Sequence, residues 1–426
     1  MSIAAGSERT LVRVPLSGSF RLAIVASHPV QYLAPWYRAL ATLLNLQVFF
    51  AHRINAADHA RAGFDVGFEW DTPLFEGYVF EWLANTASRP GVDHFWGCNT
   101  PGVGTAIRRG DFDAVLVNGW QLFSYWQAIR AAGAAGLPVL VRGDSQLASS
   151  SRPVRGVLKR LVYPHMLRSF DACLAVGRRN ADYYRYYGVP DARIYRSAHC
   201  VDNDFFARSA AETRRRRHEV RRELGIPADA VVFMFAGKLI EKKRPLDFLE
   251  ALRRIRQQHT DVWGLMVGDG PLRAVVDDYR RTHDIPCAIA GFQNQRRIAA
   301  TYAAADALVL PSTSGETWGL VVNEAMACGL PVIVSDQVGC APDLVVEDET
   351  GFTYPCGDVA ALAKCIDALA GDRRRRGRMS ARASAHIAAY SPEAAAEGVV
   401  HAIEHLPRGS HVRQAVGAGG TPCRRC

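Results

Sequence analysis

DALVLPSTSGETWGLVVNEAMACGLPVIVS, residues 306–335, reads as a strand, a loop, a helix and a second strand in one unbroken stretch. DALVLP and PVIVS are short apolar runs of strand length, Gly319 to Cys328 has helical spacing, and Gly329 followed by Pro331 is a normal stop before the next strand. A strand, a helix and a strand in that order form a parallel unit with the helix on one face. Working outward, VVFMFAG (231–237), DVWGLMVG (261–268) and CAIAG (287–291) keep the same rhythm. The first half repeats it with RLAIVAS (21–27), LQVFFA (46–51), DAVLVN (113–118), PVLVR (138–142) and DACLAV (171–176), with helical segments such as YLAPWYRALATLL between them. The expected fold is α/β, with two doubly wound, Rossmann-like domains facing a cleft. The expected division is an N-terminal extension at 1–19, a first domain at 20–210, an arginine-rich linker at 211–227 and a second domain at 228–395. A C-terminal helix at 396–407 and a Gly-rich, charged, disordered tail at 408–426 complete it.

Composition sets the class. A chain of 426 residues, 49% hydrophobic and 22% charged, is ordinary globular material and too long for one typical core. No apolar run approaches the roughly 18 residues of a spanning helix. Glu8, Arg9, Arg13 and Arg21 break up any signal-peptide layout, so a cytoplasmic location is expected. Of ten cysteines, Cys173, Cys287 and Cys328 lie in apolar surroundings and read as reduced core thiols. Cys423 and Cys426 form a C-x-x-C pair in the tail with no second pair near it, so no metal site is expected there. Residues 1–227 carry 28 Lys and Arg against 19 Asp and Glu, whereas residues 228–426 carry 23 against 23, so the whole +9 excess lies in the first half. RPVRGVLKRLVYPHMLR, residues 152–168, holds Arg152, Arg155, Lys159, Arg160 and Arg168 among apolar residues and contains no acid. It reads either as a surface for an anionic membrane or as a solvated helix with its apolar side in the core. The arginine runs at 214–217 and 373–376 are not interleaved with aromatics, which argues against a nucleic-acid partner.

Doubly wound sheets bind ligands at the carboxyl ends of their strands, and the informative residues follow strands. GKLIEKKRP after VVFMFAG presents Gly237, Lys238, Lys242 and Lys243. GDGP after DVWGLMVG supplies Gly268 and Gly270, which let backbone approach a ligand closely. STSGETWGL opens the helix of the quoted stretch, with Glu316 just ahead of it and Glu324 inside it. A helix N-terminus favours a phosphate, and carboxylates on either side of it can accept hydrogen bonds from a sugar and a ribose. The plainer alternative has Glu316 capping the helix and Glu324 meeting a surface lysine.

GKL with Lys243, GDGP, the pair Gly291-Phe292 and PSTSGETWGLVVNEAMACGLPVIVSD occur in an order that resembles glycosyltransferase family 4, retaining enzymes of the GT-B architecture. The resemblance covers most of residues 228–395, and ASHPVQYLAPWYRAL and VRGDS are similar to a branch of the same family. It implies that 228–395 binds a nucleotide sugar, UDP- or GDP-linked, and that 20–210 serves the acceptor. In that family the positions of Lys243 and Lys238 contact the donor diphosphate, that of Glu316 the sugar hydroxyls and that of Glu324 the ribose. Gly237, Gly268, Gly270, Phe292, Thr317, Trp318, Gly319 and Leu320 fall with them on the donor side. No cofactor or metal is implied beyond the nucleotide sugar as co-substrate. The implied acceptor is a glycan or lipid-linked glycan of cell-surface polysaccharide synthesis, handled on the inner membrane face. Two departures concern the acceptor side. The first loop reads Ser27-His28-Pro29-Val30-Gln31 where many relatives have Gly-Gly, and Asn118 stands where many have histidine. His28 is a candidate for the reacting centre or a structural loop histidine; Asn118, Arg142 and Asp144 are further acceptor-side candidates. A metal-dependent transferase would use Asp111-x-Asp113 or Asp202-x-Asp204. A sugar-nucleotide epimerase and a non-catalytic sugar-nucleotide-binding protein are the other rivals.

Overall fold

The computed structural model of the chain describes residues 20–54, 67–147 and 153–406, with side chains of 153–158 excepted. The expected N-terminal extension 1–19, the tail 408–426 with Cys423 and Cys426, Arg152 and the side chain of Arg155 lie outside the described residues.

The first sheet contains β1 (Arg21–Ala26), β2 (Asn45–Phe50), β3 (Val79–Trp82), β4 (Ala114–Val117), β5 (Val139–Gly143), β6 (Ala172–Ala175) and β7 (Ile194–Arg196). Its seven strands run in the order β3-β2-β1-β4-β5-β6-β7, and each neighbouring pair is parallel. The second contains β8 (Val231–Ala236), β9 (Val262–Val267), β10 (Cys287–Gly291), β11 (Ala307–Leu310), β12 (Val332–Ser335) and β13 (Gly351–Tyr354). Its six strands run β10-β9-β8-β11-β12-β13, again parallel. Both sheets reverse their winding at the first strand, between β1 and β4 and between β8 and β11, and open a crevice at the carboxyl ends of those strands. The doubly wound expectation therefore holds for both halves.

β8 shows why the sequence reads as an unbroken apolar run. Val232, Met234 and Ala236 pack into one core, while Val231, Phe233 and Phe235 pack into the core on the other face. A parallel strand covered by helices on both sides has no solvent face to make polar. Cys173, Cys287 and Cys328 are buried free thiols, as their apolar surroundings imply.

The linker expected at 211–227 is not an open connector. The helices Asn203–Arg214 and Arg217–Glu223 fill most of it and pack on the second domain, with Phe206 and Ala210 sharing a core with Tyr302 and Val322. Arg221, 3% exposed at its side chain, pairs with Asp306 at 2.9 Å, so this arginine of the expected linker is an internal strut. The final helix, Pro392–Glu404, turns back onto the first domain, where Ala395, Ala396, Val399, Ala402 and Ile403 join Leu22, Ile24 and Trp36. The chain thus crosses between the domains twice.

Candidate active site

The cleft begins where β8 ends. Gly268 lies in the left-handed region at φ +131°, and a Cβ placed on it would stand 1.9 Å from the carbonyl oxygen of Gly237. Only glycine lets these two loops abut. Opposite, the helix Leu320–Ala327 begins after Gly319 at φ +102°, and no side chain caps it. Its first turn faces a cleft of about 520 Å³ lined by residues of both domains.

Glu316 does not cap that helix. Its carboxylate forms an ion pair with Lys243, and the two side chains are 15% and 12% exposed, so water screens the pair little. Lys238 lines the same end of the cleft, with its ammonium pushed down by burial and by the neighbouring Lys242 and Lys243, against the pull of Glu316. Glu324 meets no surface lysine. It is 7% exposed, accepts a hydrogen bond from the Tyr302 hydroxyl at 2.8 Å, and is pushed up to about 7 by burial. The two carboxylates of the opening motif therefore have opposite environments on either side of one helix start.

The first domain closes the other wall. The Thr317 hydroxyl donates to Asp144 at 3.0 Å, and the Gln146 amide donates to the carbonyl oxygens of Ser314 at 2.9 Å and Glu316 at 3.2 Å. These bonds fix the loop that carries Glu316. His199 packs between the rings of Tyr32 and Trp318, with its Nδ1 buried and without a partner. Burial, then the charge of Arg142, hold it far below the usual histidine range, so the ring is neutral.

Behind this wall lies a second cavity of about 430 Å³ in the first domain, and Tyr32, Asp144 and His199 line both spaces. His28, Asn118 and Arg142 line this second cavity and not the first. His28 Nδ1 lies 2.9 Å from the Ser27 hydroxyl; Asn118 donates to the Tyr37 hydroxyl at 3.0 Å. Arg142 stacks over Trp36 and donates to the carbonyl oxygens of Ser197 and Ala198, which makes it a strut for the backbone leading to His199.

Of the expected donor-side residues, Gly237, Lys238, Lys243, Gly268, Phe292, Glu316, Thr317, Trp318, Gly319, Leu320 and Glu324 line the cleft together. Gly270 stands back from it, packed against Leu239. Trp318 is 4% exposed and donates to Asn323 at 2.8 Å, so most of its surface belongs to the core. Sequence reading passed over Tyr32, Trp70, Gln146 and His199. No local pattern marks them: Gln146 and His199 meet the opposite domain directly, the neighbours of Trp70 do so on either side of it, and Tyr32 packs on His199. Asp113 accepts from the Arg21 amide at 2.7 Å beside the start of β1, away from the cleft. Asp202 caps the helix that follows it. Among the described residues no group of three or more His, Cys, Asp or Glu could hold a metal ion, and no helix is long and apolar enough to cross a membrane.

Residues 216–386 match the family model of glycosyl transferases group 1. That match falls on the second domain and the short helix that leads into it. A D-inositol 3-phosphate glycosyltransferase of Xylanimonas cellulosilytica is 32% identical over 224 residues, 50% of this chain and 52% of that protein. A sulfoquinovosyl transferase of Arabidopsis thaliana is 34% identical over 131 residues, 30% of this chain and 25% of that protein. The chain spans about half the length of the first curated relatives it matches. The likeness to solved structures extends beyond residues 216–386. Anabaena HepE, solved with UDP, superposes with a TM-score of 0.69 at 17% identity, over 91% of this chain and 100% of that one. A glycosyltransferase from Rickettsia africae gives 0.71 at 14% identity, over 92% and 100%. Both sheets thus share the GT-B architecture of these neighbours.

Proposed function

We propose that the chain is a retaining, metal-independent glycosyltransferase that moves a hexosyl group from a nucleoside-diphosphate sugar, with UDP or GDP as the nucleotide, to a glycan or lipid-linked acceptor. The observation that carries this is the division of labour across one helix start: Lys243 paired with Glu316 on one side, buried Glu324 on the other. The lysines and the first turn of the helix Leu320–Ala327 meet the diphosphate, Glu316 the sugar hydroxyls and Glu324 the ribose. The donor glycosidic C–O bond breaks, and its electron pair leaves with the diphosphate. The acceptor hydroxyl attacks the same face of the sugar, and its proton passes to the departing phosphate oxygen. No nucleophile of the protein enters this sequence. Lys238 and Lys243 stabilise the charge that develops on the leaving group, the work a cation does in other transferases. The acceptor enters from the second cavity, past Tyr32, Asp144 and His199, which line both spaces.

Hydrolysis of a panel of nucleotide sugars by the full chain tests this reading. One donor should turn over in excess chelator, and Lys243→Ala should lower the rate about a hundredfold or more. Binding without turnover would favour the non-catalytic alternative, and rescue of a chelated, inactive protein by manganese would overturn metal independence.

A further inference from the structure

The cleft runs from the lysines past Glu324 to Phe292 and Gln293, and at that far end its lining includes a residue of the first domain, Trp70. A nucleoside diphosphate that sets its phosphates against Lys243 and its ribose against Glu324 directs its base to this end. Trp70 is held there by its neighbours on both sides. The carbonyl oxygen of Glu69 accepts from the Asn294 side chain at 2.6 Å. The Asp71 carboxylate accepts from the Arg296 backbone amide at 3.2 Å, which caps the helix Gln295–Ala304 from across the cleft. The ring of Phe68 lies 4.3 Å from Phe292 and 4.7 Å from Trp70, tying all three into one aromatic group. At its other end, the Arg38 guanidinium donates to the carbonyl oxygen of Pro73 at 3.2 Å and so returns this strap, residues 68–73, to the first domain.

We propose that Trp70 stacks on the nucleobase of the donor, so that the base is held by both domains while the diphosphate is held by one. This rests on the donor reading above and extends it to a residue outside 216–386. An indole is a broad stacking face that every base can meet, and Phe292 supplies a second aromatic edge at the same end. The base then bridges the two domains at the place where Glu69 and Asp71 already bond to Asn294 and Arg296.

Titration calorimetry on the full-length protein tests this with UDP, GDP and inorganic pyrophosphate. Trp70→Ala should weaken the preferred nucleotide on the order of tenfold, the size of one base–aromatic stack, and leave pyrophosphate affinity unchanged. Trp70→Phe keeps a stacking face and should hold nucleotide affinity within about threefold. Unchanged nucleotide affinity in Trp70→Ala, or a matching loss for pyrophosphate, would overturn the proposal and leave the indole as a filler of the domain interface. A folded wild type that binds neither nucleotide would overturn the donor reading itself, and this inference with it.

Discussion

A buried carboxylate that still holds its proton near neutrality is a sensor of both pH and ligand, and Glu324 is such a group. In the unfolded chain it titrates near the ordinary glutamate value of 4.5, whereas burial raises it to about 7 in the fold. Between those values the unfolded chain carries the charge and the folded chain carries the proton. Stability from this group is therefore fully present below the unfolded value and is lost as pH rises through the folded one. At about 1.4 kcal/mol per unit of difference, the loss is on the order of 3 kcal/mol. Glu324→Gln should flatten the dependence of the melting temperature on pH between about 4.5 and 7 and melt higher than wild type at pH 8. Ribose hydroxyls donate to the charged form, so nucleotide affinity in wild type should rise with pH across this window, with proton release visible as buffer-dependent heats. Flat affinity would remove Glu324 from the ribose contact. At this scale the sequence was informative where chemistry is local. Lys238, Lys243, Glu316 and Glu324 follow strands of one domain in fixed motifs and can be read off. Trp70 and His199 could not, since what matters about them is which face of the other domain they meet.

Strands buried along their whole length were legible. The apolar runs at 231–237 and 306–311 became β8 and β11, strands with every residue buried. β3, β7 and β13 went unread. β3 and β7 are the edges of the first sheet and β13 an edge of the second. VFEW and IYR contain no fully buried residue, so an apolar run cannot mark them. GFTY is short, opens on glycine and exposes Thr353. Two glycines show what an element tolerates. Gly133 lies in the helix Phe123–Ala134 with nothing within 4 Å of an added Cβ, and Gly133→Ala should stabilise by about 0.5–1 kcal/mol. Gly268→Ala meets the Gly237 carbonyl at 1.9 Å and an unfavourable φ, and should cost roughly 2–4 kcal/mol and depress donor binding. Urea melts of the two variants check both signs; equal midpoints would refute the close approach of the two loops.

On the scale of the whole molecule, the basic excess and one exposed helix point the same way. In the helix Pro153–Leu167, Leu161 is 66% and Val162 48% exposed, beside Lys159 and Arg160. Docking of such a face on an anionic bilayer would gain about 1 kcal/mol per cation near the surface and would weaken with salt. We expect anionic liposomes to sediment the protein at low salt, and replacement of Arg152, Arg155, Lys159, Arg160 and Arg168 by glutamine to release it. Equal binding to neutral vesicles would leave this helix a solvated face and favour a soluble acceptor. The domain layout was the least legible feature, because a return of the last helix to the first domain leaves no local mark: Pro392–Glu404 is amphipathic and fits either partner. That return also sets an order of events during synthesis. The ribosome releases the second domain's entire sequence before it releases the residues that complete the first domain's core. At 5–20 residues per second, the nascent first domain waits on the order of ten seconds or more with the surface around Leu22, Ile24 and Trp36 uncovered. In the cell, that patch is where a chaperone has something to hold.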